Sequence, residues 1–295
     1  MQSADFLSAV FFYLKVGENL NQNWIVENLN NAFSTWNGKL TELWGLVTTG
    51  PQSFKGGAVW GVMQNLHNAM VGVGYALVVL FFAISLFKNT MNFHELKRPE
   101  AALHYLIRFV AAKALVGYGM DIMLNIFSIC NGVITDMTSG MGGISQAMVS
   151  LPGEMQTAIE NVGFLASIPL WLVTILGSLF ITVLSFVMIL TVYGRFFRLY
   201  MYTALAPLPL ASFAGESTQS VGISFVKSYI GVCLEGAVIV LACIIYSAFV
   251  STPTVTGSEP TTMVWSYLAE TVFNMLVLVG LVKGSDRIIH EMMGL

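Results

Sequence analysis

Residues 195–235 read RFFRLYMYTALAPLPLASFAGESTQSVGISFVKSYIGVCLE, and the fold turns on how this stretch is read. It is apolar enough to enter a bilayer, yet Pro207 and Pro209 stand at its centre and Gly215 and Glu216 follow. Each proline removes a backbone donor and fixes φ, so a straight helix cannot run through the pair. Non-helical backbone at membrane depth is tolerated only where protein or a water-filled cavity surrounds it. The break therefore implies an all-α, polytopic integral membrane protein with an interior, not a single anchor.

Composition points the same way. Of 295 residues, 56% are hydrophobic and 10% charged, against about 25% charged in soluble proteins. Mean hydropathy is +0.73. A net charge of -3 and a pI of 5.8 exclude a broad basic surface for nucleic acid, so any contact with DNA is local or indirect. Cys130, Cys233 and Cys243 lie in apolar stretches without zinc-type spacing and read as small hydrophobes. No cofactor or metal is expected. Asp5 stands where a signal peptide carries basic residues, so no cleaved leader is expected.

Outward from the centre, the chain divides into an N-terminal region, 1–61, and a helical transmembrane domain, 62–295. In the first, Leu29, Phe33, Trp36, Leu40, Leu43 and Val47 recur at alternating steps of four and three, one face of a helix. An amphipathic helix lying in the extracytoplasmic interface is expected, with a short oligomerisation seam as the alternative. About five crossings follow by apolar length. They are placed at about 62–87, 105–134, 164–193, 228–250 and 264–282. Within 105–134, Arg108, Lys113 and Asp121 interrupt the pattern, which fits either an interfacial first half or one long tilted helix. A weak amphipathic helix is expected near Glu154–Ile159. Ser217 is the expected cap of a short helix before the fourth span.

Orientation follows from the basic residues. Lys88, Lys97, Arg98, Arg195, Arg198, Lys227, Lys283 and Arg287 fall to one side if the loop 88–100 is cytoplasmic, while 135–163 and 251–262 contain neither Lys nor Arg. The asymmetry predicts an outside N-terminus and an inside C-terminus. Because Arg198 and Lys227 share a side, residues 199–226 are expected to enter and return as a re-entrant element.

No catalytic constellation appears. Neither His94-Glu95 nor His290-Glu291 has the second histidine of a zinc protease. There is no G-x-S-x-G and no phosphate loop. The run Gly117 to Asp121 lacks the spacing and partner aspartate of a membrane aspartyl protease. Asp121 and Glu235 are the acids inside expected spans. Such groups suggest an ion or proton path by default, or else pair with a base such as Arg108 or Lys113 and fix helix packing.

The central stretch resembles the TrbL-like family, polytopic inner-membrane subunits of type IV secretion systems, most of all the versions on conjugative elements of Gram-positive bacteria. The likeness rests on the aromatic-basic run before the apolar stretch, Ala206-Pro207 with Pro209, Gly215-Glu216, and Phe225–Gly231 entering the next span. It extends over about residues 160–285, while only the layout matches before Thr135. The resemblance implies a non-enzymatic channel or scaffold component of a conjugative DNA-transfer machine in the bacterial cytoplasmic membrane. Its partners would be further copies in a homo-oligomeric ring, the secretion ATPase, a bitopic assembly subunit and membrane lipids. Contact with relaxase-bound single-stranded DNA would be indirect. The outer loops lack basic residues, and Arg195, Arg198 and Lys227 are the basic groups expected on the cytoplasmic face. The alternative from another class is a secondary transporter or small ion channel with a broken-helix site.

Overall fold

The computed structural model describes residues 2–90, 99–140, 148–162, 164–249 and 260–294. Among them the backbone is helix and short turns, with no strand. The helices are α1 (Gln2–Thr48), α2 (Ala58–Thr90), α3 (Pro99–Gly117), α4 (Gly119–Gly140), α5 (Gly153–Glu160), α6 (Phe164–Leu205), α7 (Pro207–Ala211), α8 (Gln219–Phe249) and α9 (Pro260–Met293). Short 3-10 turns precede α2 at Phe54–Gly57 and follow α7 at Ser212–Ala214. His94-Glu95, Lys97 and Arg98, residues 141–147 and 163 of the first loop without basic residues, and 251–259 of the second lie outside the described residues.

Four helical stretches are long and apolar enough to cross a membrane: Phe54–Lys88, Ser167–Leu205, Gln219–Phe249 and Thr262–Met293. Leu103–Gly117 and Gly119–Ser139 make a fifth crossing if counted as one broken span, bent by 72° at Tyr118. The chain is thus an all-α polytopic membrane protein, and the segment around 105–134 is neither straight nor one tilted helix.

The proline-bearing region differs most from expectation. Helix α6 does not end at Tyr193, and residues 199–205 are not part of the break. It runs unbroken for 42 residues to Leu205, about 63 Å at 1.5 Å per residue. The reason is local. Pro207 and Pro209 remove only their own donors, whereas the N–H groups of residues 199–205 still reach carbonyls four residues back. Pro207 then takes the first position of α7, where a missing donor costs nothing. Helix α8 begins at Gln219, so the non-continuous segment is 206–218 and not 199–226. Ser217 does not cap it. The hydroxyl of Thr218 turns back instead and donates to Ser212 O at 2.8 Å.

The chain forms two compact units. The first comprises Met1–Trp44, Met141–Thr191 and Leu241–Lys283. In it the apolar stripe of α1 is covered by protein. Leu29, Trp36, Leu40 and Leu43 have no exposed surface, and Phe33 has almost none. Phe33 meets the Tyr267 ring of α9 edge-on at 6.4 Å, and Asn28 Nδ2 donates to Ser178 Oγ of α6 at 3.1 Å. Asn37 grips the segment before α5 by both backbone groups of Val149, donating to its carbonyl at 2.8 Å and accepting from its N–H at 2.9 Å. This corrects the expectation of a face presented to the membrane interface. The five stripe residues from Leu29 to Leu43 bury their apolar surface against helices of their own chain.

The second unit comprises Gly45–Gly140, Val192–Val240 and Gly284–Leu295. It holds the proline turn, both arginines of the central stretch, and Asp121 and Glu235.

Candidate functional site

Helix α6 ends because Pro207 cannot donate to Thr203 O, four residues back, and Pro209 cannot donate to Leu205 O. A buried carbonyl left in this state costs about 1–3 kcal/mol. Thr203 O is not left so. His67 of α2, itself buried, places Nδ1 2.7 Å from it. A carbonyl oxygen only accepts, so the Nδ1 atom carries the proton in this bond.

The turn is seated between α2 and α3 by close backbone approach. A Cβ on Gly74 would lie 2.9 Å from Pro207 O and 2.9 Å from Val116 Cγ1, so only glycine admits the turn against α2. Further along, Gly215 is extended (φ -107°, ψ 140°). A Cβ there would lie 3.0 Å from Phe81 O. Glu216 N donates to Ser85 Oγ at 3.4 Å, while its carboxylate points outward, 3.9 Å from Arg108 Nη1. Arg108 also donates to Gln219 Oε1 at 3.2 Å, tying α3 to the start of α8.

One face away, Arg195 is fully buried. Its guanidinium is held by backbone carbonyls from two helices: Nε to Val232 O at 3.2 Å, Nη2 to Cys233 O at 3.1 Å and Nη1 to Val47 O at 3.4 Å. Val47 lies in the last turn of α1, where carbonyls lack helical donors and carry the negative end of the helix dipole. Room for the guanidinium on α8 comes from Gly236. A Cβ at that position would stand 2.5 Å from Arg195 Nη1 and 2.7 Å from Cζ.

Arg198, one turn on, divides its two terminal nitrogens between acids of two other helices. Nη2 lies 2.7 Å from both Glu235 oxygens, and Nη1 bonds to Asp286 of α9. Ser285 Oγ donates to Glu235 Oε1 at 3.4 Å. The Glu235 side chain is 1% exposed against 43% for Asp286. Two cations and two anions thus balance within the cluster, which a buried charge requires.

The structure brings Arg195, Arg198 and Glu235 together and places Pro207, Pro209, Gly215 and Glu216 in one turn. Asp121 joins neither group. It is exposed in the first turn of α4, with no ion pair among the described residues, where the helix dipole favours an acid. Arg108 pairs away from it. Lys227 is exposed on α8. Arg195 departs from expectation, since it lies inside the protein and not on a basic surface. A carbonyl cradle satisfies its donors where lipid headgroups or phosphate would otherwise do so.

The family profile described as TrbL/VirB6 plasmid conjugal transfer like protein matches residues 36–207. The chain belongs to this family. The match takes in the amphipathic stripe of α1 from Trp36 on, α2 to α5 and all of α6, and it stops at the first proline of the turn. It therefore includes the region before Thr135, where motif comparison found only a shared layout. No curated protein and no solved structure matches the chain. For a TrbL/VirB6-like chain, type IV secretion and conjugation are the setting, in a multi-pass membrane protein.

The central motif did not disclose four participants: His67, Gly74, Gly236 and Asp286. His67 is a histidine in an apolar run, and Gly74 and Gly236 are glycines inside helices, which cost stability unless something approaches closely. Asp286 sits in what reads as a charged tail, and nothing local marks it as a partner.

Proposed function

We propose that this chain is a non-enzymatic channel or scaffold subunit of a type IV secretion machine for conjugative DNA transfer, working as a homo-oligomeric ring in the bacterial cytoplasmic membrane. The family supports the machine. The observation that carries the scaffold role is that four polar groups of the second unit, two arginines, an acid and a histidine, are spent on the chain's own helices. Arg195, Arg198, Glu235 and His67 each bind backbone or side chains of another helix. A transporter site needs such groups turned toward a substrate.

The arginines are engaged and so do not meet phosphate, which leaves contact with relaxase-bound single-stranded DNA indirect. Lys227, Lys283 and Arg287 suit anionic lipid headgroups on the cytoplasmic side. The N-terminus is outside and the C-terminus inside on this reading. The secretion ATPase and a bitopic assembly subunit are the protein partners.

The test is particle mass in nanodiscs by native mass spectrometry, with crosslinking in intact membranes as a check. A ring several times the 32.2 kDa chain is expected. A monomer or dimer by both methods would overturn the ring and favour the secondary transporter or small channel. For the turn itself, Pro207→Ala with Pro209→Ala restores two donors and straightens α6 into the break. Conjugative transfer is lost while membrane insertion persists, and full transfer by that variant would refute a working role for the turn.

A further inference from the structure

In the first unit, contacts with α6 set the depth of α1. Trp24 meets the Trp171 ring at 5.6 Å, Asn28 Nδ2 donates to Ser178 Oγ at 3.1 Å, and Lys39 Nζ stands 5.8 Å from the centre of the Phe186 ring. The chain separation stays near the 150 positions of the second pair, so the two helices run parallel and in register. The stretch of α6 that α1 follows, 171–191, lies inside the run 164–194, which has no ionisable side chain but Tyr193. At 1.5 Å per residue it measures about 30 Å, the thickness of the hydrocarbon core.

At this shared depth the two helices turn opposite chemistry outward. Helix α6 shows Leu176, Phe180, Val183 and Leu190, 46–62% exposed, which suits lipid. Helix α1 shows Asn30, Asn31, Ser34, Gly38 and Thr41. The side chains of Asn30, Asn31 and Ser34 make no hydrogen bond among the described residues. Polar grooves flank this face on both sides. One, of about 440 Å³, has Asn30, Ser34, Asn37 and Thr41 in its wall. The other, of about 350 Å³, is walled by Asn28, Asn31 and Thr35 together with Ser178 and Thr182 of α6. Unpaired amides and hydroxyls do not stand in hydrocarbon, so water or another protein surface covers them. The side chains that α6 turns outward, and Phe273 and Leu276 of α9, would bring no hydrogen bonds to this face from a second copy. Water is the cover that satisfies every position.

We propose that the face of α1 carrying Asn30, Asn31, Ser34, Gly38 and Thr41 lines a water-filled channel for hydrated solutes across the membrane. One chain supplies one wall, so closing the channel rests on the ring proposed above. The wall has no net charge, because Lys39, the one base between Asn30 and Glu42, pairs with Glu42 at 2.6 Å. It therefore admits solutes by their hydration and not by the sign of their charge.

The test is cysteine scanning of the full chain in intact membranes. Ser34→Cys, Gly38→Cys and Thr41→Cys are treated with water-borne methanethiosulfonates, one cationic and one anionic. Val183→Cys and Leu190→Cys, level with Ser34 and Thr41 but on the lipid side, are the controls. The wild type sets the background, since Cys130, Cys233 and Cys243 are buried. A Cβ on Gly38 meets open space, so a cysteine fits there. Thiols react as thiolates, which form in water and not in lipid, so the α1 variants are expected to react at least about tenfold faster than the controls with either reagent. Rates no faster than the controls would overturn the wet lining. So would a packed seam, seen as Gly38→Cys joining two chains on copper-phenanthroline oxidation while resisting both reagents. Reaction with one sign of reagent alone would overturn the neutral wall. Particle mass separates these failures from that of the ring: slow labelling in an intact ring refutes the lining alone, and fast labelling on a monomer refutes the ring and the closed channel with it.

Discussion

Gly236→Ala is the sharpest test of the arginine cradle, because it adds one methyl group and changes no charge. The new Cβ would stand 2.5 Å from Arg195 Nη1, 2.7 Å from Cζ and 2.7 Å from Ile134 Cδ1. Carbon contacts settle near 3.5–4.0 Å, so the guanidinium must retreat by about 1 Å. Its bonds to Val232 O and Cys233 O, now 3.2 and 3.1 Å, do not survive that movement. Hydrogen bonds from a charged donor are worth about 1.5–3 kcal/mol each, and alanine returns about 1 kcal/mol of helix propensity. Sterics win, with a net loss of about 2–5 kcal/mol.

The assay is SDS titration of detergent-purified protein followed by circular dichroism, with Gly132→Ala as control. Gly132 has open space where a Cβ would stand, so its replacement is expected to be neutral or slightly stabilising. Arg195→Ala with Gly236→Ala should cost less than the sum of the single changes, because both remove the same contacts. Gly236→Ala as stable as the Gly132→Ala control would refute the cradle as a stabilising element.

Two further outcomes follow from the same unit. Glu235→Gln leaves Arg198 without its buried partner and is expected to cost about 3–5 kcal/mol, whereas Asp286→Asn, at a half-exposed position, costs about 0–1 kcal/mol; equal losses in the same titration would refute the ranking. His67→Ala strands Thr203 O and costs about 1–3 kcal/mol, and much less in a Pro207→Ala background, where an N–H returns to that carbonyl; a double-mutant cycle with no coupling would show that His67 does not serve the proline-freed group.

What was legible in the sequence was what local chemistry dictates. Pro207 and Pro209 announced a break by their missing donors, and the stripe from Leu29 to Val47 announced a helix by its spacing. Neither could say what lies against it. The stripe reads the same whether lipid or protein covers it, and here α6, α9 and the segment at Val149 do so. The limits of the break were misread because a proline acts on the carbonyl four residues earlier and leaves the preceding donors intact. Arg195 and Arg198 were legible as charges but not as buried ones. Counting basic residues places a side of the membrane, and it carries no information about carbonyls contributed by α1 and α8, 148 and 38 residues away.

A common device underlies the second unit. Arg195 binds carbonyls of α1 and α8, His67 the freed carbonyl of α6, Tyr229 the carbonyl of Met123 in α4, and Tyr200 the carbonyl of Pro51 at 2.9 Å. In each case a donor side chain ends on another segment's backbone, so only the donor residue must be retained for the joint to persist. The positions that cannot vary are then the donors and the glycines that admit them. Among the joints, the one at Thr203 belongs to the turn: the prolines that break α6 also create the acceptor that fastens it to α2. A helix broken without that fastening would leave a bare carbonyl in an apolar setting, and a fastening without the break would have no free carbonyl to hold. The turn and its histidine are therefore one element, and losing either half should disturb the subunit in the same way.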